Sequence, residues 1–160
     1  MHRIATLEDL EALWNRNIAE NPGDDRWLRW KQEYIGYNEA GQAVTFAVIC
    51  DKEPVGEGTL LLSPECSAIG GRTDLADGKT VANINALRIR KAYEGLGHIS
   101  AMVKAMEDYA KSRGIQTLTI GVEPCESRNL GIYLHWGYDT LVRWEVEDGA
   151  PVLYYKKQLW

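Results

Sequence analysis

One segment restricts the fold more than any other. TVANINALRIR (Thr80 to Arg90) reads as a strand, and TLTIGV (Thr117 to Val122) reads as another. Between them lie a glycine turn, YEGLGHIS (Tyr93 to Ser100), and the amphipathic run AMVKAMEDYAKSRG. Ile99, Met102, Val103, Met106, Tyr109 and Ala110 recur at helical spacing, and Gly114 is a C-terminal stop. Leu118, Ile120 and Val122 alternate toward one side. Strand, turn, helix and strand make a βαβ unit, so strands 80–90 and 117–122 are expected to run parallel.

The flanking sequence adds the other elements. Thr6 followed by Asp9 forms an N-cap with an acidic first turn. Behind it Leu7, Leu10, Leu13, Trp14 and Ile18 mark one helix face. NPGDD breaks that pattern, and Asp24 or Asp25 caps a second helix, RWLRWKQEYIGY. AVTFAVIC (Ala43 to Cys50) and PVGEGTLLL (Pro54 to Leu62), joined by DKE, read as a hairpin. Residues 63–79 are rich in turn formers. PCESRNLGIYLHWGY contains a short helix that Gly137 ends, and the tail forms two strands around Asp148-Gly149. The expected fold is α/β (α+β): one domain over 1–160, with a mixed, mostly antiparallel sheet, a central parallel βαβ unit and helices on both faces.

Composition narrows the function. No apolar run approaches the ~20 residues that span a bilayer, and MHRIATLEDL has no signal-peptide core. Three scattered cysteines without Cys-x-x-Cys argue against a disulfide framework and a zinc site, so a cytoplasmic setting without a metal is expected. Of these, Cys50 reads as core, while Cys125 lies near the candidate site without an activating partner beside it in sequence. The net charge of −5, with dispersed Lys and Arg, disfavours nucleic acid.

The glycine turn has two physical readings. A helix N-terminus leaves its first N–H groups unpaired and partly positive, and glycines before it let a phosphate approach the backbone. Gly95 and Gly97 meet that pattern, but a plain strand-to-helix turn would use the same residues. No Gly-Lys-Ser/Thr follows, so it is not a P-loop.

The wider context adds to this. Leu87 and Ile89 in LRI, then EGLGHI, then TLTIGVE, then YLHWGY occur in order between about Thr80 and Tyr138. This succession resembles the GNAT superfamily of acetyl-CoA-dependent N-acetyltransferases, in which Gln/Arg-x-x-Gly-x-Gly/Ala opens a helix on the cofactor pyrophosphate. The chain departs from the pattern at Glu94, in place of Gln or Arg, and at Ile99, in place of Gly or Ala. The family asparagine ahead of the tyrosine falls on Glu126, with Asn129 one turn on.

The resemblance implies that acetyl-CoA lies along Leu87, Arg88 and Ile89, like an added strand. It implies that backbone N–H groups around Glu94, Gly95, Leu96, Gly97, His98, Ile99 and Ser100 hold the pyrophosphate, with Asn129 nearby. Tyr133 matches the family's general acid. Candidate bases are Glu57 and Glu123, or a water positioned by Asn83 or Asn85. Trp27, Trp30 and Tyr34 fit either a substrate wall or plain core. The expected function is transfer of an acetyl group to a primary amine of a small molecule. Alternatives are a non-catalytic acyl-CoA-binding module and a protein or peptide N-acetyltransferase. The exposed-looking YYKKQLW leaves a homodimer open.

Overall fold

The computed structural model describes all residues from Met1 to Trp160. Seven strands and four α-helices follow one another as β1 (His2–Ile4), α1 (Leu7–Glu20), α2 (Arg26–Glu39), β2 (Ala43–Cys50), β3 (Glu53–Leu61), β4 (Val81–Ile89), α3 (His98–Ser112), β5 (Thr117–Val122), α4 (Ser127–His135), β6 (Thr140–Glu147) and β7 (Ala150–Gln158). A 3-10 turn, Lys91–Tyr93, precedes α3. The strands form one mixed sheet in the order β1-β2-β3-β4-β5-β7-β6. Its parallel pair is β4 with β5, as the βαβ reading requires. The chain gathers into two compact units: Met1–Leu60 with Ala86–Met106, and Leu61–Asn85 with Glu107–Trp160.

In the first unit, α1 starts on a complete capping box. Thr6 Oγ1 accepts from the Asp9 N–H at 3.1 Å, and Asp9 Oδ2 accepts from the Thr6 N–H at 3.0 Å. Arg3 adds two bonds to the same carboxylate. Burial alone would raise the Asp9 pKa, but the bonds from Arg3 and Thr6 outweigh it and lower it. Arg3 belongs to β1, which pairs antiparallel with β2 and which the short polar N-terminus does not announce.

Hairpin β2–β3 turns through Asp51 and Lys52, both left-handed at φ 51° and 67°. Alternation along β3 sends Glu57 and Gly58 to opposite faces. A Cβ on Gly58 would meet Leu87 and, on α3, Met102 and Met106, at 2.7, 2.9 and 3.2 Å. Glu57 instead bonds Asn17 of α1. Within this unit, helices therefore cover both faces of the sheet.

In the second unit, Asp77 organises the entry into β4. Its Oδ1 accepts from the N–H groups of Lys79, Thr80 and Val81 at 2.8, 2.7 and 2.9 Å, and Oδ2 accepts from the Thr80 hydroxyl. The β4–β5 ladder pairs Val81–Ile84 with Thr117–Ile120 and ends there, although β4 runs on to Ile89. Just beyond the last pair, Ala86 takes φ 56°, a left-handed kink in the strand. On the other side β5 pairs with β7, and a Cβ on Gly121 would strike the Tyr154 ring at 2.8 Å.

Candidate active site

Helix α3 begins at His98, directly after the glycine turn, so His98, Ile99 and Ser100 form its first turn. The first bond of that helix runs from the Ala101 N–H to the Gly97 carbonyl at 3.0 Å. By helix geometry, the N–H groups of the preceding residues point out of the N-terminus without intrahelical partners. Gly95 and Gly97 take φ 74° and 83°, values that an L side chain rarely adopts. A Cβ on either would meet nothing within 4 Å, so the space above the loop is open. Glu94 is exposed, its backbone extended at φ −68° and ψ 152°. The loop therefore offers an anion several backbone donors, with the one carboxylate of the turn in solvent.

Leu87, Arg88 and Ile89 are the half-buried last residues of β4, beyond the end of the β5 ladder. Their side chains part company. Leu87 lies against Gly58, and Ile89 lies against Gly56. Arg88 faces the α1 side, with its guanidinium 5.1 Å from the Trp14 ring and 5.2 Å from the Trp27 ring. There it donates to Glu57 Oε1 at 3.3 Å, while Asn17 donates to Oε2 at 3.0 Å. Glu57 is only 2% exposed, a buried carboxylate held by two donors. The cation over two indoles could not be read from sequence, because residues 14, 27, 57 and 88 lie on four different elements.

Tyr34 is core at 6% exposure and Trp14 at 2%, whereas Trp27 and Trp30 are half-buried. Cys50 is half-buried rather than core, with Sγ 3.9 Å from His98 Nε2.

On the second unit, Tyr133 is carried by α4 and stacks at a tilt on Trp136, with centroids 5.8 Å apart. Burial, reinforced by the nearby Glu126 charge, pushes its phenol up to about 12. It is thus fully protonated at neutral pH. Asn129 donates to Glu126 Oε2 at 2.9 Å, so the family's asparagine position and its neighbour are tied together here. Asn85 donates to Asn83, which donates to Thr119 Oγ1, which donates to the Leu75 carbonyl. Cys125 gains no activation: its hydrogen bond to Glu123, some burial and the charges of Glu123 and Glu126 all raise the thiol pKa.

A family model for the acetyltransferase (GNAT) family matches residues 5–138. The chain belongs to that family. As a GNAT member it is an N-acetyltransferase that uses acetyl-CoA as donor. Solved structures agree in fold. An N-acetyltransferase from Staphylococcus aureus Mu50 superposes with TM-score 0.71 at 14% identity, over 100% of this chain and 98% of that one. A ribosomal-protein-alanine N-acetyltransferase from Brucella melitensis gives 0.71 at 17%, over 99% of each. An aminoglycoside 6'-N-acetyltransferase complexed with coenzyme A gives 0.70 at 14%, over 100% and 97%. No curated protein matches the GNAT chain by sequence.

Proposed function

We propose that this GNAT chain transfers the acetyl group of acetyl-CoA to a primary amine of a small molecule. The observation that carries the reading is the turn before α3: two left-handed glycines with open space above them, leading directly into an exposed helix N-terminus. Acetyl-CoA supplies the acetyl group as an activated thioester. The backbone N–H groups from Gly95 to Ser100 hold its pyrophosphate, and Asn129 lies within the same candidate set. Residues Leu87 to Ile89, past the end of the β5 ladder, offer backbone groups to its pantetheine arm.

The amine attacks the thioester carbonyl, a C–N bond forms, and the C–S bond breaks. The nitrogen loses one proton to a base, and coenzyme A leaves as the thiolate, which takes a proton from solvent. Tyr133 donates a hydrogen bond to the departing sulfur. A free thiol ionises near ~8.5, well below a phenol held at about 12, so complete transfer from Tyr133 is uphill. Its contribution is stabilisation of the negative sulfur as charge develops there. Glu57, or a water oriented by Asn85, takes up the proton from the amine.

The test is release of free thiol from acetyl-CoA with a panel of amines: aminoglycosides, polyamines, amino acids and N-terminal peptides. Turnover on a small amine and none on peptides supports the reading. Turnover restricted to peptides replaces it with peptide acetylation.

A further inference from the structure

The Arg88–Glu57 pair is built unlike other arginine pairs of the first unit. Arg3 grips Asp9 through both Nε and Nη2, at 3.1 and 2.9 Å. Arg26 grips Asp24 through the same two nitrogens, at 3.0 and 2.8 Å. Arg88 gives Glu57 a single bond from Nη2, 3.3 Å long, and its Nε is buried without an acceptor. Asn17 bonds the second oxygen of Glu57 and so holds the carboxylate in that orientation.

The guanidinium is placed by two indoles instead, Trp14 at 5.1 Å and Trp27 at 5.2 Å. An aromatic face attracts the cation without engaging the donors at the rim of its plane. Those donors are therefore left over. The Arg88 side chain is 32% exposed where that of Glu57 is 2%, so the cation is anchored from inside the fold and open on its outer side. Trp27 and Trp30, half-buried with ring centroids 5.0 Å apart, continue the wall with apolar surface.

We propose that Arg88 binds a carboxylate carried by the acceptor, so that the amine acetylated is that of an amino acid with an apolar or aromatic side chain. This inference rests on the acetyl-transfer reading and names its acceptor. A guanidinium presents paired N–H groups that match the two oxygens of a carboxylate, and Glu57 leaves that fork unfilled. Arg88 also belongs to the Leu87–Ile89 stretch assigned to the pantetheine arm, so its side chain leaves the strand beside the cofactor. The acceptor's side chain packs on Trp27 and Trp30. An amine without the carboxylate leaves the donors of Arg88 unmet and is disfavoured.

The test compares kcat/KM for matched pairs at saturating acetyl-CoA: L-phenylalanine against 2-phenylethylamine, and L-leucine against 3-methylbutylamine. The wild type is expected to prefer the amino acid of each pair by about 10²-fold. That ratio should fall to near one in Arg88→Gln and stay intermediate in Arg88→Lys, which keeps the charge but not the fork. Binding is read separately from turnover, by tryptophan fluorescence during titration with N-acetyl-L-phenylalanine in the presence of coenzyme A. Its Kd should rise at least about tenfold in Arg88→Gln. Removing the cation leaves Glu57 buried and unpaired; should Arg88→Gln fail to fold, Arg88→Gln/Glu57→Gln removes that charge and replaces it in the titration. Equal kcat/KM within each pair for the wild type overturns this inference and leaves acetyl transfer standing. So does an amino-acid preference, or a product Kd, that the loss of Arg88 does not change. No thiol release with any amine would count against acetyl transfer itself, and the titration would then decide the role of Arg88 alone.

Discussion

Glu94 and Tyr133 separate binding from chemistry in the proposed reaction. Glu94 stands where a cation or amide would assist a phosphate, yet it is exposed, and the donors around it are backbone groups. Glu94→Gln is therefore expected to leave the Kd for acetyl-CoA unchanged or lower it, read by calorimetry. A large loss of affinity would give Glu94 a positive role in the loop. Tyr133 is expected to act on the departing sulfur and to contribute nothing to binding. Tyr133→Phe should lower kcat by about 10²-fold or more with the acetyl-CoA Kd unchanged. Because its phenol sits near 12, no loss of wild-type rate up to pH 10 should trace to its ionisation. Sequence pointed to both residues through the motif. It could not show that Glu57 is buried and paired with Arg88 over two indoles, since that cluster is assembled by tertiary contacts alone.

At the level of elements, local signals are legible in the sequence and non-local ones are not. The Thr6–Asp9 box, the Asp148-Gly149 turn and the α3 stripe each depend on residues a few positions apart, and each forms as expected. Strand β1 is invisible in the sequence because its three exposed residues are held by partners elsewhere in the chain, β2 through the backbone and Asp9 through Arg3. Helix α3 starts directly after Gly97, where the glycine turn places it. Asp77 is likewise hidden in a turn-rich stretch. Its carboxylate gathers three backbone N–H groups and a hydroxyl, so Asp77→Ala should cost about 2 kcal/mol, seen in the urea midpoint. Burial would raise the Asp77 pKa, but those hydrogen bonds prevail and lower it below 3.8. A depressed carboxylate contributes stability that is complete above its unfolded pKa and is lost as pH falls through the folded value. The gap between wild type and Asp77→Ala should thus hold at neutral pH and narrow as pH falls below 3.8 and through the lowered folded value. A gap independent of pH would assign the loss to packing.

For the molecule as a whole, element order was legible because the βαβ unit leaves few ways to arrange the remaining strands, and family membership follows the same segment. The acceptor was not legible, since acceptor specificity carries no motif in this chain. The central claim is that the turn before α3 binds acetyl-CoA through its backbone. Calorimetric titration of acetyl-CoA into the wild type and Gly97→Val tests it most directly, because valine is strained at φ 83° and projects into the open space above the loop. Saturable binding by the wild type with at least about tenfold weaker binding by a folded Gly97→Val is the predicted result. No binding by the wild type, or equal affinity in both proteins, would contradict it.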